Sequence, residues 1–188
     1  MRGIAITGKA GSGKTALAGA ILNEFAERGG VPARRFAFGD ALKREVFDTY
    51  GVTKTDPTGR ALLVYHGERK RNADPLYWIR ALAAKLEDEC NYFPVVDDLR
   101  FPTELAWCIG RGFVVVRLEA PRLVRLCRLR ANQADETIVD ATEPGETGLD
   151  LSRDDFDYVF RNCDEANVEQ IATTVLREVA PGLSARSV

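Results

Sequence analysis

Short apolar runs alternate with longer amphipathic stretches along this chain. The runs are Gly3-Ile4-Ala5-Ile6, Arg35-Phe36-Ala37-Phe38, Phe93-Pro94-Val95-Val96, Phe113-Val114-Val115-Val116 and Tyr158-Val159-Phe160. Each has the length of a strand. The first, third and fourth are apolar at successive positions, which predicts burial on both faces, as in central parallel strands. Between the runs, apolar residues recur at helical spacing over about 14–28, 40–50, 75–89, 102–110, 121–132 and 165–178. Gly29-Gly30 and Gly51 stand where helices end, and Pro121 stands where a first helical turn accepts proline. Strand and helix in repeated alternation predict an α/β fold, a three-layer sandwich with a parallel five-stranded sheet covered by helices on both faces.

Two segments depart from that alternation. Residues 52–74 hold one short helical pattern between polar, turn-rich flanks, and 131–155 is acid-rich with no strand pattern. Irregular segments of this length inside a compact domain are functional lids or disorder, and the chemistry below favours lids. The chain has 188 residues, 45% hydrophobic and 29% charged, the make-up of one globular domain. Its net charge of −2 argues against broad electrostatic binding of a nucleic-acid polymer or an anionic membrane. No apolar stretch approaches the ~20 residues of a membrane span, and no secretion signal opens the chain. The single histidine, His66, removes most zinc-hydrolase schemes and leaves little support for a Ser-His-Asp one. Cys90, Cys108, Cys127 and Cys163 are widely and irregularly spaced, which predicts buried, reduced thiols in a cytoplasmic protein.

The strongest chemical signal is Gly8-Lys9-Ala10-Gly11-Ser12-Gly13-Lys14-Thr15, a GxxxxGK[ST] loop between the first strand and an Ala-rich helix. Backbone amides of Gly11, Ser12, Gly13, Lys14, Thr15 and the following Ala16 can surround a phosphate at the positive end of that helix. Lys14 then reaches the β- and γ-phosphates, and the Thr15 hydroxyl is placed for Mg²⁺. The bland alternative is a glycine-rich turn that binds nothing; Lys9 is read as facing solvent. Mg²⁺ also needs an acidic group at a neighbouring strand end, which Asp97 or Asp98 supplies. Asp98 is preferred because it opens an Asp-x-Arg triplet with Arg100. The reaction class is phosphoryl transfer or hydrolysis from a nucleotide. No NKxD-type base-reading motif of a GTPase is present, and the cations along the chain suit a kinase, which must hold about six phosphate charges in line.

Further segments carry a family resemblance. They are Phe36-Ala37-Phe38-Gly39-Asp40-Ala41-Leu42-Lys43, Asp74-Pro75-Leu76-Tyr77-Trp78-Ile79-Arg80, Asp98-Leu99-Arg100-Phe101-Pro102-Thr103-Glu104, Glu146-Thr147-Gly148-Leu149-Asp150 and Phe156-Asp157-Tyr158-Val159. In this order behind the loop, they resemble the deoxynucleoside monophosphate kinases of bacteriophages, a branch of the P-loop nucleotide kinases. The resemblance implies transfer of the ATP γ-phosphoryl group to a deoxynucleoside 5′-monophosphate with Mg²⁺, in the cytoplasm (a host's, if phage-encoded), by a monomer or homodimer. It implies one P-loop kinase domain over residues 1–188, with a monophosphate-binding insertion at about 39–90 and a lid at about 121–150. Where the family often has a Gln-x-Leu-Gly-type stretch, this chain reads Val64-Tyr65-His66-Gly67. Two other readings stay open: another small-molecule P-loop kinase, such as a dephospho-coenzyme-A kinase, and a non-catalytic ATP-binding switch.

The candidate roles follow, each with its plainer reading. Lys43 is placed to reach an acceptor phosphate, or is an exposed helical lysine, and Arg69 is a further substrate-binding candidate. Trp78 stacks on a base or fills the core, and Arg80 binds phosphate or pairs with Asp74 or Glu87. Arg100 contacts phosphate while Glu104 contacts sugar or base; alternatively Arg100 and Glu104 pair with each other, and the resemblance implies Glu146 as a further substrate-binding residue. Arg122, Arg125 and Arg128 share one helix side, and Arg128 and Arg130, nearest the acidic segment, are the candidates for the triphosphate. Lys14, Arg100, Arg128 and Arg130 are thus the predicted catalytic set. No catalytic base is needed, because an acceptor phosphate oxygen is already anionic near neutral pH.

Overall fold

In the computed structural model, residues 3–131, 155–163 and 167–179 are described. The elements run β1 (Ile4–Thr7), α1 (Lys14–Arg28), β2 (Ala33–Phe36), α2 (Gly39–Tyr50), α3 (Gly59–Ala73), α4 (Tyr77–Asp88), β3 (Phe93–Leu99), α5 (Pro102–Gly110), β4 (Val114–Glu119), α6 (Arg122–Ala131), β5 (Tyr158–Arg161) and α7 (Asn167–Val179). The strands form one parallel sheet in the order β2-β3-β1-β4-β5. The three runs with successive apolar positions are its three inner strands. Every residue of β1 is buried, because it has strands on both edges and helices on both faces. Ile4, Ile6, Val95, Val116 and Leu118 pack with Leu17, Ile21 and Phe25 of α1 and with Ile171, Val175 and Leu176 of α7. This is the expected three-layer α/β architecture.

The β1–β3 register carries an irregularity that matters for the site. Ile4 and Ala5 pair with Val95 and Val96, but Thr7 pairs with Leu99, so β3 holds one extra residue around Asp97-Asp98. Thr7 fixes the irregularity by donating its hydroxyl to the Leu99 carbonyl at 2.9 Å. An inserted residue re-aims the side chains around it.

Two compact units result, Met1–Arg35 with Asn91–Val188, and Phe36–Cys90. The second contains the largest departure from the sequence reading. Residues 52–74, expected to hold one short helical pattern within an irregular, lid-like segment, hold the 15-residue helix α3. Its only buried residues are Gly59, His66 and Gly67, so no apolar stripe betrays it. β2 also begins and ends two residues earlier than its apolar run, because Ala37 and Phe38 lead into α2. Trp78 is 3% exposed and donates its indole N–H to the Gly67 carbonyl at 3.2 Å. Of its two readings, base-stacking and core, this burial favours core. The expected lid at about 121–150 is described only through Ala131, and Glu146 lies outside the described residues. The expectation of burial holds for Cys108 alone; Cys90, Cys127 and Cys163 are exposed, and no disulfide joins any of the four. Among the described residues no helix is long and apolar enough to cross a membrane.

Candidate active site

The site lies at the carboxyl ends of the central strands, where the strand order reverses and α/β sheets form their ligand crevices. The loop after β1 turns back on itself through left-handed glycines. Gly11 has φ 75° and Gly13 φ 100°. Each is also pressed from outside: a Cβ at Gly11 would lie 2.7 Å from the Arg125 carbonyl, and one at Gly13 would lie 2.3 Å from Asn162 Nδ2. Only glycine satisfies both demands.

The loop's carbonyls are taken up by donors. Lys14 Nζ donates to Gly8 O at 2.6 Å and to Lys9 O at 3.1 Å. Arg125 Nη1 donates to Ala10 O at 3.2 Å, and Asn162 Nδ2 to Ser12 O at 2.9 Å. Ser12 N–H donates to Lys9 O at 3.0 Å. The loop is therefore clasped by α6 and by the residue after β5. The first backbone bond of α1 is Leu17 N–H to Gly13 O at 2.9 Å, so the amides of Thr15 and Ala16 precede it, as at any helix N-terminus. Lys9 is exposed, as read from the sequence, and Ser12 is buried with no hydrogen-bond partner for its hydroxyl.

Beneath the loop, Thr15 Oγ1 donates to Asp97 Oδ2 at 3.2 Å. Asp97, the alternative to the preferred Asp98, is thus the carboxylate that meets Thr15. The extra residue in β3 brings Asp97, 3% exposed, to the Thr15 side. Asp98, the next residue, is half-buried. Burial first, then the charges of Glu104 and Asp98, push the Cys108 thiol up to about 12.

Glu104 is also reassigned. It is 4% exposed, and its Oε2 accepts from the backbone N–H groups of Arg100 at 2.9 Å and Phe101 at 3.1 Å. This caps α5 and fixes the turn that leaves Arg100 exposed after β3. Glu104 therefore shapes the turn instead of offering its carboxylate to a sugar or base.

The arginines of α6 divide. Arg125 is 7% exposed and belongs to the loop's scaffold. Arg128 donates to the Asn162 backbone oxygen at 3.3 Å and approaches its side-chain oxygen at 3.5 Å. Arg130 is exposed. A cleft of about 830 Å³ opens beside the loop, lined by Gly13, Lys14, Thr15, Arg128 and Asn162 and continuing along α1 past Gly19 and Asn23 to Glu24 and Glu169. The Thr173 hydroxyl, which donates to Glu24, together with Arg28 outweighs burial and holds the Glu24 carboxyl below its ordinary value. Asn162 and Arg125 were not singled out as loop partners from the sequence. Asn162 directly follows a strand at the sheet's carboxyl edge, and that position was the available signal.

Within the second unit, Lys43 pairs with Asp40 at 3.2 Å, Arg80 pairs with Asp74, and Arg69 is exposed. A polar cluster ties its helices together. Glu45 of α2 faces His66 Nε2 at 3.0 Å and accepts from the Tyr77 hydroxyl at 2.7 Å, while Lys70 donates to Tyr77 at 3.0 Å. Burial pushes the Glu45 carboxyl up, but the His66 and Tyr77 hydrogen bonds and the Lys70 charge together hold it below its usual value. Lys70 is pushed up by its bond to Tyr77 and by the Glu45 charge.

No family model and no curated protein matches this chain. Solved structures do. TT1252 from Thermus thermophilus superposes with a TM-score of 0.63 at 18% identity, over 96% of this chain and 100% of the other. The APS kinase of Mycobacterium tuberculosis, in complex with AMPPNP and APS, gives 0.57 at 16%, over 93% and 96%. The shikimate kinase of Acinetobacter baumannii, in complex with shikimate, gives 0.54 at 13%, over 96% and 93%. With the parallel sheet, the glycine loop and the Thr15–Asp97 pair, these likenesses establish that the chain has the P-loop kinase fold.

Proposed function

We propose that this protein transfers the γ-phosphoryl group of ATP to a (deoxy)nucleoside 5′-monophosphate, giving the diphosphate. The observation that carries phosphoryl transfer is the Thr15–Asp97 contact beneath a loop whose carbonyls are clasped by Lys14, Arg125 and Asn162. A hydroxyl and a carboxylate are hard oxygen donors, which fits Mg²⁺. Thr15 and Asp97 would hold it with the phosphates, and when bound it neutralises charge on the β- and γ-oxygens.

The chain's own groups do the rest by position and charge. Loop amides and Lys14 bind the triphosphate, and Lys14 stabilises the charge that spreads over the transferring oxygens. Arg128, held by Asn162, and Arg130 reach the same phosphates from α6. Arg100, on the turn fixed by Glu104, faces the acceptor. Glu146 is kept as a substrate-binding residue from the resemblance alone.

The acceptor assignment draws on the ordered motif matches and on the separate unit Phe36–Cys90, which carries Lys43, Arg69 and Arg80. A second reading, a small-molecule acceptor other than a nucleoside monophosphate, is favoured by the likeness to structures of APS kinase and shikimate kinase. A coupled ADP-release assay across nucleoside and deoxynucleoside monophosphates, shikimate, gluconate and dephospho-coenzyme A separates them. Acceleration by one or more monophosphates alone supports the proposal, and acceleration by one of the other acceptors alone replaces it with the second reading.

A further inference from the structure

Asp97 meets a second residue that no part of the phosphate-loop logic requires. Arg35, the third residue of β2, places Nη2 2.8 Å from Asp97 Oδ1, the oxygen that does not face Thr15. The Asp97 side chain is 2% exposed and that of Arg35 37%. A carboxylate removed from water to this degree needs a compensating charge and a fixed orientation. Thr15 supplies one hydrogen bond to Oδ2. Oδ1 has no directed hydrogen bond, so its compensation is the ionic contact with Arg35.

We propose that Arg35 is a positioning residue that acts through Asp97. It takes Oδ1, turns Oδ2 toward Thr15 and so presets the carboxylate for the Mg²⁺ that accompanies ATP. This inference rests on the proposed phosphotransfer site and adds a residue to it. The division of one carboxylate between a hydroxyl donor and an arginine resembles the arrangement by which outer partners orient metal ligands, and losing such a partner typically lowers metal affinity by about 10–100-fold. An opposing effect exists, because a guanidinium near the site also repels a divalent cation. The two effects move the Mg²⁺ requirement in opposite directions, so the sign of the change decides between them.

The test is a titration of Mg²⁺ into the full-length protein with a fluorescent ATP analogue, read as nucleotide binding and not as turnover. Arg35→Met should raise the Mg²⁺ concentration for half-maximal binding by about tenfold or more. Arg35→Lys, which keeps the charge but not the planar fork, should fall between the two. In an Asp97→Asn background, Arg35→Met should produce no further shift, because its route of action is already gone. Thermal unfolding of each variant without Mg²⁺ separates a shifted metal requirement from lost fold, and Arg35→Lys serves as the folded comparison if Arg35→Met unfolds. An unchanged or lowered Mg²⁺ midpoint in a folded Arg35 variant overturns the proposal and leaves the phosphotransfer reading standing. An equal further shift in the Asp97→Asn background also overturns it. A parent protein that shows no Mg²⁺-dependent nucleotide binding overturns the site itself, and Arg35's role with it.

Discussion

Replacing Asn162 with alanine should weaken both the fold and nucleotide binding. The side chain is 1% exposed, and its Nδ2 donates to the buried Ser12 carbonyl at 2.9 Å. Truncation leaves that carbonyl without its donor, and a buried group left unsatisfied costs about 1–3 kcal/mol. The Arg128 contacts at 3.3 and 3.5 Å are long, and the first is to the backbone oxygen, which alanine keeps, so they add little. For a domain of this length each kcal/mol lowers the melting temperature by roughly 2–4 °C, so a fall of roughly 2–12 °C is expected. The phosphate loop would also lose one of its clasps, and ATP affinity should fall by about tenfold, equivalent to about 1.4 kcal/mol. Asn162→Asp sharpens the case. It keeps the shape but sets a carboxylate against the Ser12 carbonyl and beside the phosphate site, so it should be worse than alanine on both counts. Thermal unfolding without ligand and titration calorimetry with ATP and Mg²⁺ read the two effects. If Asn162→Ala matches the parent in melting temperature and in ATP Kd, the clasp contributes nothing and the reasoning fails.

Other outcomes follow from the same geometry. Lys14→Ala should reduce turnover by a factor of about 10²–10³, or about 3–4 kcal/mol, with circular dichroism unchanged; a folded variant that keeps a tenth or more of the activity contradicts the assignment. Asp97→Asn should raise the Mg²⁺ requirement for turnover much more than Asp98→Asn, and equal shifts in the two would show that the Thr15 contact does not mark the metal ligand. Glu45 has a carboxyl held below its ordinary 4.5, so its contribution to stability is present above that pH and is lost as pH falls through the lowered value. Glu45→Gln should therefore flatten the acid limb of the urea-midpoint profile while changing its slope little near neutrality, and an unaltered acid limb would show that the His66–Tyr77–Lys70 cluster does not act through this carboxylate.

Much of the fold was legible because burial leaves a period in the sequence. β1, β3 and β4 are flanked by strands and covered by helices, so they read as unbroken apolar runs, and α1 and α7 read as helices from their core-facing residues. α3 was legible only as one short helical pattern for the converse reason: its buried residues are two glycines and His66, and its apolar residues form one run at 61–65 in place of a stripe. The glycine loop was legible because positive φ and close packing at Gly11 and Gly13 demand a residue type that stands out. The choice between Asp97 and Asp98 was not, because side-chain alternation holds only in a regular strand, and the β1–β3 register slips at those residues. Glu104 looked like a polar ligand and is a cap, since a capping glutamate and a binding glutamate look alike until their partners are known. Trp78 shows the same ambiguity for aromatics, settled here by its indole bond to Gly67. Asn162 and Arg35 act across the sheet on residues distant in the chain, and no local spacing announces such contacts.

The central claim is transfer of a phosphoryl group to a monophosphate, and ³¹P nuclear magnetic resonance of the reaction mixture tests it most directly. With ATP, Mg²⁺, the protein and an equimolar set of deoxynucleoside monophosphates, the γ resonance of ATP should decline as ADP and a second nucleoside diphosphate appear in equal amounts. The Lys14→Ala protein should leave the spectrum almost unchanged over the same period. Release of inorganic phosphate without a new diphosphate, or a static spectrum with every monophosphate supplied, would contradict the account.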